Sequence, residues 1–312
     1  MPRQKVLVTG ANGYIGQAVS TRLQIAGHHV TGMVRSEHAA RSLYARGISP
    51  LLATLDDSEA ITKATHEVDA VIDTASADHA PATHAMLDAL HGTGKTYIRT
   101  SGTGVYTDLA HGHPGNRIYT EDDAFTPDPL VATRVKTDHE VVSAASRGIN
   151  TIVIRPSMIY GDGASEQLPM LIRHAIAHRS SFYVGPGENR WANVHIADLA
   201  EAYLLALTYA TAGSLYNIAA DEASLHDIAQ AIATLLDLPT PTSCSPETAY
   251  AAFGQRWVDI ALSSNSRVDS TKARTELRWN PTGPTLLDDI THGSYRRIWA
   301  HKVDPHDHTA TH

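Results

Sequence analysis

The sequence predicts an α/β fold, a doubly wound parallel sheet with a smaller lobe towards the C-terminus. Three observations predict it. Short β-branched runs alternate with helical patterns over the first hundred residues, a glycine-rich turn joins the first run to the first helix, and the pattern loosens into Pro- and Gly-rich segments beyond Arg155.

The opening reads βαβαβ: Lys5 to Thr9, Tyr14 to Ala26, His29 to Val34, Ala39 to Ala45 and Ile48 to Ala53. Further strands fit Ala70 to Asp73, Thr96 to Thr100 and Thr151 to Arg155, nearly continuously apolar as strands are when helices cover both faces of a parallel sheet. Helices fit Ser58 to Thr65, Pro81 to Leu90 and Pro129 to Ala145, the last opened by Pro127 and Pro129 and closed by Gly148. Pro156, Gly161, Gly163, Pro169, Gly185, Pro186 and Gly187 then predict loops and a lid. Ile196 to Ala210 and Leu225 to Leu236 are strongly helical, with a strand fitting Ser214 to Ala219 between them. Ser224 followed by Asp227 is a capping-box pattern at the start of the second. The boundaries that follow are a main domain over residues 1–160, to which 191–236 returns, and a smaller lobe with a tail made of 161–190 and 237–312.

The 312 residues suffice for one large core with an appendage. With 42% hydrophobic and 19% charged residues, disorder of the whole chain is excluded. A net charge of -8 without Lys/Arg runs argues against a nucleic-acid or anionic-membrane surface and leaves a small molecule as the expected partner. For protein assembly the expectation goes no further than a homodimer. No apolar stretch approaches the roughly 18 to 20 residues of a membrane span. The lone Cys244 forms no internal disulfide, and a strand starting at Lys5 leaves no room for a signal peptide, so a reducing cytoplasm is the expected compartment. Of the 19 histidines, the pairs His111/His113 and His306/His308 lack a third ligand at zinc-like spacing, the second pair lying in a His-rich tail from His301 to His312. No metal is expected.

The run KVLVTGANGYIG sets Gly10, Gly13 and Gly16 between a strand and a helix. Such a turn, with Asn12, Tyr14 and Ile15 at its tip and helix start, lets backbone N–H groups approach a pyrophosphate while the helix N-terminus offers partial positive charge. Side chains at Gly10 or Gly13 would block that approach, and Gly16 lets the helix sit close to the sheet.

Preceded by Thr9, this spacing resembles the short-chain dehydrogenase/reductase superfamily, and the longer chain resembles its extended branch, the NAD-dependent epimerase/dehydratase family. The likeness runs over nearly the whole chain, through TSGTGVY at Thr100 to Tyr106, RPSMIYG at Arg155 to Gly161, WANVHIADLAEAYLLAL at Trp191 to Leu207 and LRWNPTGPTLLDDI at Leu277 to Ile290. It implies a Rossmann sheet that binds a nicotinamide dinucleotide and a C-terminal lobe that binds substrate over the nicotinamide. Where NAD enzymes place an acid for the ribose hydroxyls, this chain has Val34, Arg35 and Ser36. Arg35 suits a 2′-phosphate, so NADP is the expected cofactor, with NAD as the alternative. By resemblance Asp56 reaches the adenine, with helix capping as its competing reading, and Thr74, Ala75 and Ser76 line the ribose and nicotinamide side.

The superfamily's usual apparatus is a serine after the fifth strand, then a tyrosine and a lysine four residues apart on the next helix, the lysine lowering the tyrosine pKa. Ser101 and Lys136 match the first and third, Lys136 also counting towards the cofactor site. Ala132 stands where the tyrosine belongs. Tyr106, Tyr160, Tyr119 and His195 are the candidate substitutes, Tyr106 foremost; packing competes for the tyrosines and a helix cap for His195. The resemblance implies an NADP-dependent oxidoreductase or epimerase-type enzyme acting on a small carbonyl or hydroxyl compound, atypical for want of the tyrosine. The alternative is a non-catalytic NADP-binding sensor or scaffold. Arg173, Arg179, Arg190, Arg256 and Arg267 are candidates for a nucleotide substrate's phosphates.

Overall fold

The computed structural model describes residues 2–303. In chain order the first half runs β1 (Lys5–Thr9), α1 (Tyr14–Ile25), β2 (His29–Val34), α2 (Glu37–Ala45), β3 (Ser49–Leu52), α3 (Ser58–His66), β4 (Ala70–Asp73), α4 (Ala80–Ala89), β5 (Thr96–Thr100), the short β6 (Asp108–Leu109), α5 (Ala132–Ser143) and β7 (Asn150–Pro156). The second half runs β8 (Met158–Tyr160), α6 (Gln167–His178), β9 (Phe182–Val184), β10 (Arg190–His195), α7 (Ile196–Tyr209), β11 (Ser214–Ile218), β12 (Asp221–Ser224), α8 (Leu225–Leu235) and β13 (Thr242–Cys244). It closes with α9 (Pro246–Phe253), α10 (Gln255–Trp257), β14 (Ser264–Asn265), α11 (Thr271–Glu276), α12 (Leu286–Thr291) and α13 (Ser294–Trp299).

Seven parallel strands form the main sheet in the order β11-β7-β5-β4-β1-β2-β3. The central strands β1, β4, β5 and β7 are largely apolar because both faces are covered. On β1, Val6 and Val8 join the cluster of Val19, Leu23, Leu43, Leu199 and Tyr203 from α1, α2 and α7. Leu7 joins Ile61, Met86 and Val141 from α3, α4 and α5 on the other face. The chain builds outward from β1 to β3, then returns to place β4 on β1's other side. That reversal leaves a crevice at the carboxyl ends of β1 and β4.

Side-chain caps start many of the helices. Ser36 accepts from Ala39 N, Asp57 from Ala60 N and Ser224 from Asp227 N. In the smaller lobe β8, β10 and β12 form a three-stranded sheet, and α6, α8, α9, α12 and α13 pack around Trp191, Ile172, Ile228, Ile232, Ile290 and Tyr295.

Two segments depart from the sequence reading. The stretch read as loops and a lid contains α6, with Pro169 as its third residue. Proline is tolerated there because the first N–H groups of a helix have no intrahelical acceptor. Of the segment expected to return to the main domain, α7 and β11 join the large sheet, while β10, β12 and α8 belong to the smaller lobe. His306 and His308 lie outside the described residues. Among the described residues no helix is long and apolar enough to cross a membrane.

Gly32 marks the tightest helix-to-sheet contact on β2. A Cβ there would lie 2.6 Å from Leu43 Cδ1 and 2.7 Å from Ala11 Cβ. Gly32→Ala is expected to cost about 1–3 kcal/mol by overpacking. Urea titration should show a lower midpoint at unchanged slope.

Candidate active site

Thr9 clasps the ends of β1 and β4 together. Its hydroxyl donates to Asp73 Oδ1 and accepts from the N–H groups of Thr74, at 3.1 Å, and Ala75, at 3.2 Å. Gly10 then turns with a φ of +62°, where a Cβ would sit 2.8 Å from Ala75 Cα. Gly13 N–H donates to Gly10 O at 2.8 Å, and Gly13 N-caps α1 with no side-chain acceptor and no acid in the first turn. The leading N–H groups of that helix therefore stay open to an anion. A Cβ on Gly16 would meet Gly10 O at 2.2 Å, so this glycine answers to the turn's own carbonyl. Asn12 is exposed, and its carbonyl accepts from Gln17 Nε2.

A cleft of about 660 Å³ opens between the carboxyl edge of the sheet and the smaller lobe. Gly13, Tyr14 and Ile15 enter it from α1, Thr74 from the end of β4, Ser101 from the end of β5, and Pro156 with Ser157 from the end of β7. Met158, Trp191, Ala192, Ile260 and Ala261 wall the far side.

Beneath Ser101 lies a buried ionic network. Ser101 Oγ donates to Asp138 Oδ2 at 2.7 Å, Arg155 Nε donates to the same oxygen at 3.0 Å, and Arg99 Nε donates to Oδ1 at 2.8 Å. Asp138 and Arg99 are fully buried. Arg155 Nη1 reaches the Tyr106 hydroxyl at 2.6 Å, and that hydroxyl donates to Asn217 Oδ1 at 3.3 Å. Sequence reasoning missed Arg99, Asp138 and Arg155. The available signal was an arginine inside each of two otherwise uncharged strands, TYIRT and NTIVIRP, since buried arginines require partners.

The expected catalytic residues are distributed differently by the fold. Lys136 points outward, its side chain 78% exposed and its ammonium 3.7 Å from Glu140. The reason is helical geometry: Arg134 and Asp138, four apart, share the inward face of α5, and two residues along the helix is about 200° around its axis. Arg134 borders the cleft and grips Asp78 through two hydrogen bonds of 2.7 and 3.0 Å. These hold the Asp78 carboxyl below the usual carboxylate range. Tyr106 is packed away from the cleft, stacked on Tyr119 at 4.8 Å, and burial raises its pKa. Tyr160 donates to Pro284 O, and His195 caps α7 by accepting from Ala197 N. None of these four substitutes borders the cleft. Ala132 opens α5.

On the adenine side, Arg35 is exposed beyond β2. Asp56 is 89% exposed and faces His79 Nε2 at 3.1 Å, while the cap of α3 is its neighbour Asp57. Ala75 and Ser76 follow Thr74 beside the glycine turn, where Ser76 Oγ accepts from Asp78 N. Of the arginines expected for phosphates, Arg190 and Arg267 both bind Glu222. Arg179 ends α6 in a left-handed conformation, Arg256 lies exposed on α10, and Arg173 stands at the cleft rim, 5.8 Å from the Trp299 ring.

Residues 6–219 match the model of the NAD dependent epimerase/dehydratase family. The chain belongs to that family. This epimerase/dehydratase relative is 33% identical over 304 residues to an uncharacterized protein of Schizosaccharomyces pombe, covering 93% of this chain and 99% of that one. It is 28% identical over 225 residues to the 4-hydroxy-2-methyl-3-oxo-4-farnesyl-3,4-dihydroquinoline-1-oxide ketoreductase of Stigmatella aurantiaca, covering 68% and 67% of the two chains. Among solved structures, the UDP-glucose 4-epimerase of Thermotoga maritima superposes with a TM-score of 0.76 at 17% identity, over 96% of this chain and 100% of that one. That likeness is one of fold.

Asp138→Ala should lower stability by about 3–5 kcal/mol, because it strands two buried guanidinium groups. Lys136→Ala should stay within about 0.5 kcal/mol of the parent. Chemical denaturation of the two variants checks both values.

Proposed function

We propose that the protein is an NADP-dependent oxidoreductase of the epimerase/dehydratase type, acting on a small carbonyl or hydroxyl compound held in this cleft. One observation carries the reading: the uncapped N-terminus of α1 opens on the same cleft as Ser101 and Arg134. When bound, the nicotinamide supplies hydride exchange. The residues of this chain do the rest.

The turn at Gly10 and Gly13, with the first N–H groups of α1, receives the pyrophosphate. Arg35, with no carboxylate at the end of β2 to repel an anion, takes the 2′-phosphate. Thr74, Ala75 and Ser76 border the ribose, and Asp56 with His79 flanks the adenine. Ser101 donates its hydroxyl hydrogen bond to Asp138, so its oxygen is free to accept from a substrate hydroxyl. Arg134 serves as the inner cation of the site in place of Lys136. The segment from β1 to β7, with α7 and β11, forms the dinucleotide half, and the remainder, including β8, holds substrate.

Arg190 and Arg267 are committed to Glu222, which argues for a compact carbonyl compound over one bearing a diphosphate. The likeness to a ketoreductase supports the same class. A second reading, an NADP-binding sensor without turnover, is favoured by one fact. Among the described residues the only tyrosine lining the cleft, Tyr14, donates its hydroxyl to Gly161 O, and no lysine lines it. NADPH consumption with a panel of aldehydes, cyclic ketones and 3-oxo compounds decides between the two.

NADP should bind more tightly than NAD by about tenfold to a hundredfold, the worth of a charged hydrogen bond. Arg35→Ala should remove the difference; equal dissociation constants in the parent refute it. Gly13 has a φ of -75°, which accepts a side chain, so Gly13→Val should fold yet lose dinucleotide binding. Calorimetry showing undiminished affinity in the folded variant overturns the assignment of the site.

A further inference from the structure

We propose that Ser157 is the hydrogen-bond donor to the reacting oxygen of a carbonyl substrate, an inference that rests on the oxidoreductase reading above.

The case is an accounting of hydroxyl protons. Seven hydroxyl-bearing side chains border the cleft. Tyr14 donates to Gly161 O at 2.9 Å and Thr74 to Thr9 O at 2.6 Å. Ser101 donates to Asp138. Thr103 and Ser266 face one another at 3.2 Å, and the Ser165 hydroxyl lies beside the Tyr295 phenol. Ser157 remains. It is 5% exposed, and its Oγ has no partner among the described residues. A buried hydroxyl without a partner is a standing cost to the fold, removed only when something arrives to accept from it.

Its place favours substrate as that acceptor. Ser157 lies between β7, the sheet strand beside β5, and β8, which belongs to the smaller lobe's sheet. Its backbone N–H is spent on Ile218 O at 3.0 Å, so the residue is held by the main chain while the side chain keeps one free rotor. Ser157 borders the cleft, and a change of rotamer about that single Cα–Cβ bond is all that redirecting its Oγ requires. Pro156 and Met158, its neighbours in the chain, and Trp191 and Ala192 give the cleft an apolar wall, while Arg134 and Arg173 on the same lining favour an oxygen that gathers negative charge. As negative charge gathers on that oxygen during reduction, the bond from Ser157 strengthens. Ser101 cannot take this role while its proton is held by Asp138.

Ser157→Ala tests the assignment. In the ligand-free protein the variant should melt at the parent temperature or above it, because it deletes an unpaired group. Its affinity for NADP, measured by calorimetry, should be unchanged. Its kcat for reduction of carbonyls in the panel above should fall on the order of a hundredfold. A lowered melting temperature with unchanged kcat identifies a structural residue and overturns the proposal. Loss of NADP affinity identifies a cofactor contact and overturns it too. So does a parent protein that binds NADP but reduces no carbonyl. A parent that binds no dinucleotide overturns the function itself, and this inference with it.

Discussion

A single buried carboxylate, Asp138, organises the inner half of the molecule. It lies between the guanidinium groups of Arg99 on β5 and Arg155 on β7, fully excluded from water. Desolvating two cations and an anion is costly, and only their mutual attraction with well-formed hydrogen bonds offsets it. The geometry is therefore demanding. Helix α5 must present Asp138 at one rotation, which also turns Arg134 inward and Lys136 outward. Arg99 further donates to Ala77 O at 2.6 Å, which fixes the loop after β4 beside the glycine turn. The cleft inherits its shape from an ion cluster beneath it.

That cluster also decides which protons the cleft offers. The hydroxyl at the end of β5, Ser101, is turned down into the network as a donor, and Tyr106 is spent on Arg155 and Asn217. The polar chemistry facing a ligand is carried by small hydroxyls, by Arg134, whose charge is shared with Asp78, and by Glu166, Gln167 and Arg173. A site assembled this way polarises and orients an oxygen more readily than it delivers a proton from a low-pKa phenol. The two functional readings diverge on this point.

The other end of the cleft follows a simpler logic. Thr9 binds the turn after β4 to the end of β1, and the glycine turn lies so close to Ala75 that Gly10 admits no side chain. Chain reversal at the sheet's centre, a bare helix N-terminus and a close backbone approach together form a receptacle for an anion. The bare helix N-terminus is a local consequence of residue type; the other two need β4 to return beside β1.

The order of strands and helices, the parallel sheet and the glycine turn were legible in the sequence because they follow from periodicity and from residues whose conformational needs are local. Gly13, Thr74 and Ser101 border the cleft for that reason, with Gly10 and Gly16 shaping the turn behind it. Lys136, Tyr106 and His195 did not reach it, because spacing along a helix or a loop does not reveal which rotation the helix adopts when docked. Arg99 and Arg155 announced a buried partner through their place in apolar strands, but Asp138 is 39 residues from one and 17 from the other. Only the tertiary structure brings them together. It also commits Arg190 and Arg267 to Glu222 and leaves Ser157 alone with an unspent hydroxyl. A side chain's free capacity is what remains after every neighbour has been served, and neighbours across the sheet cannot be counted along the chain.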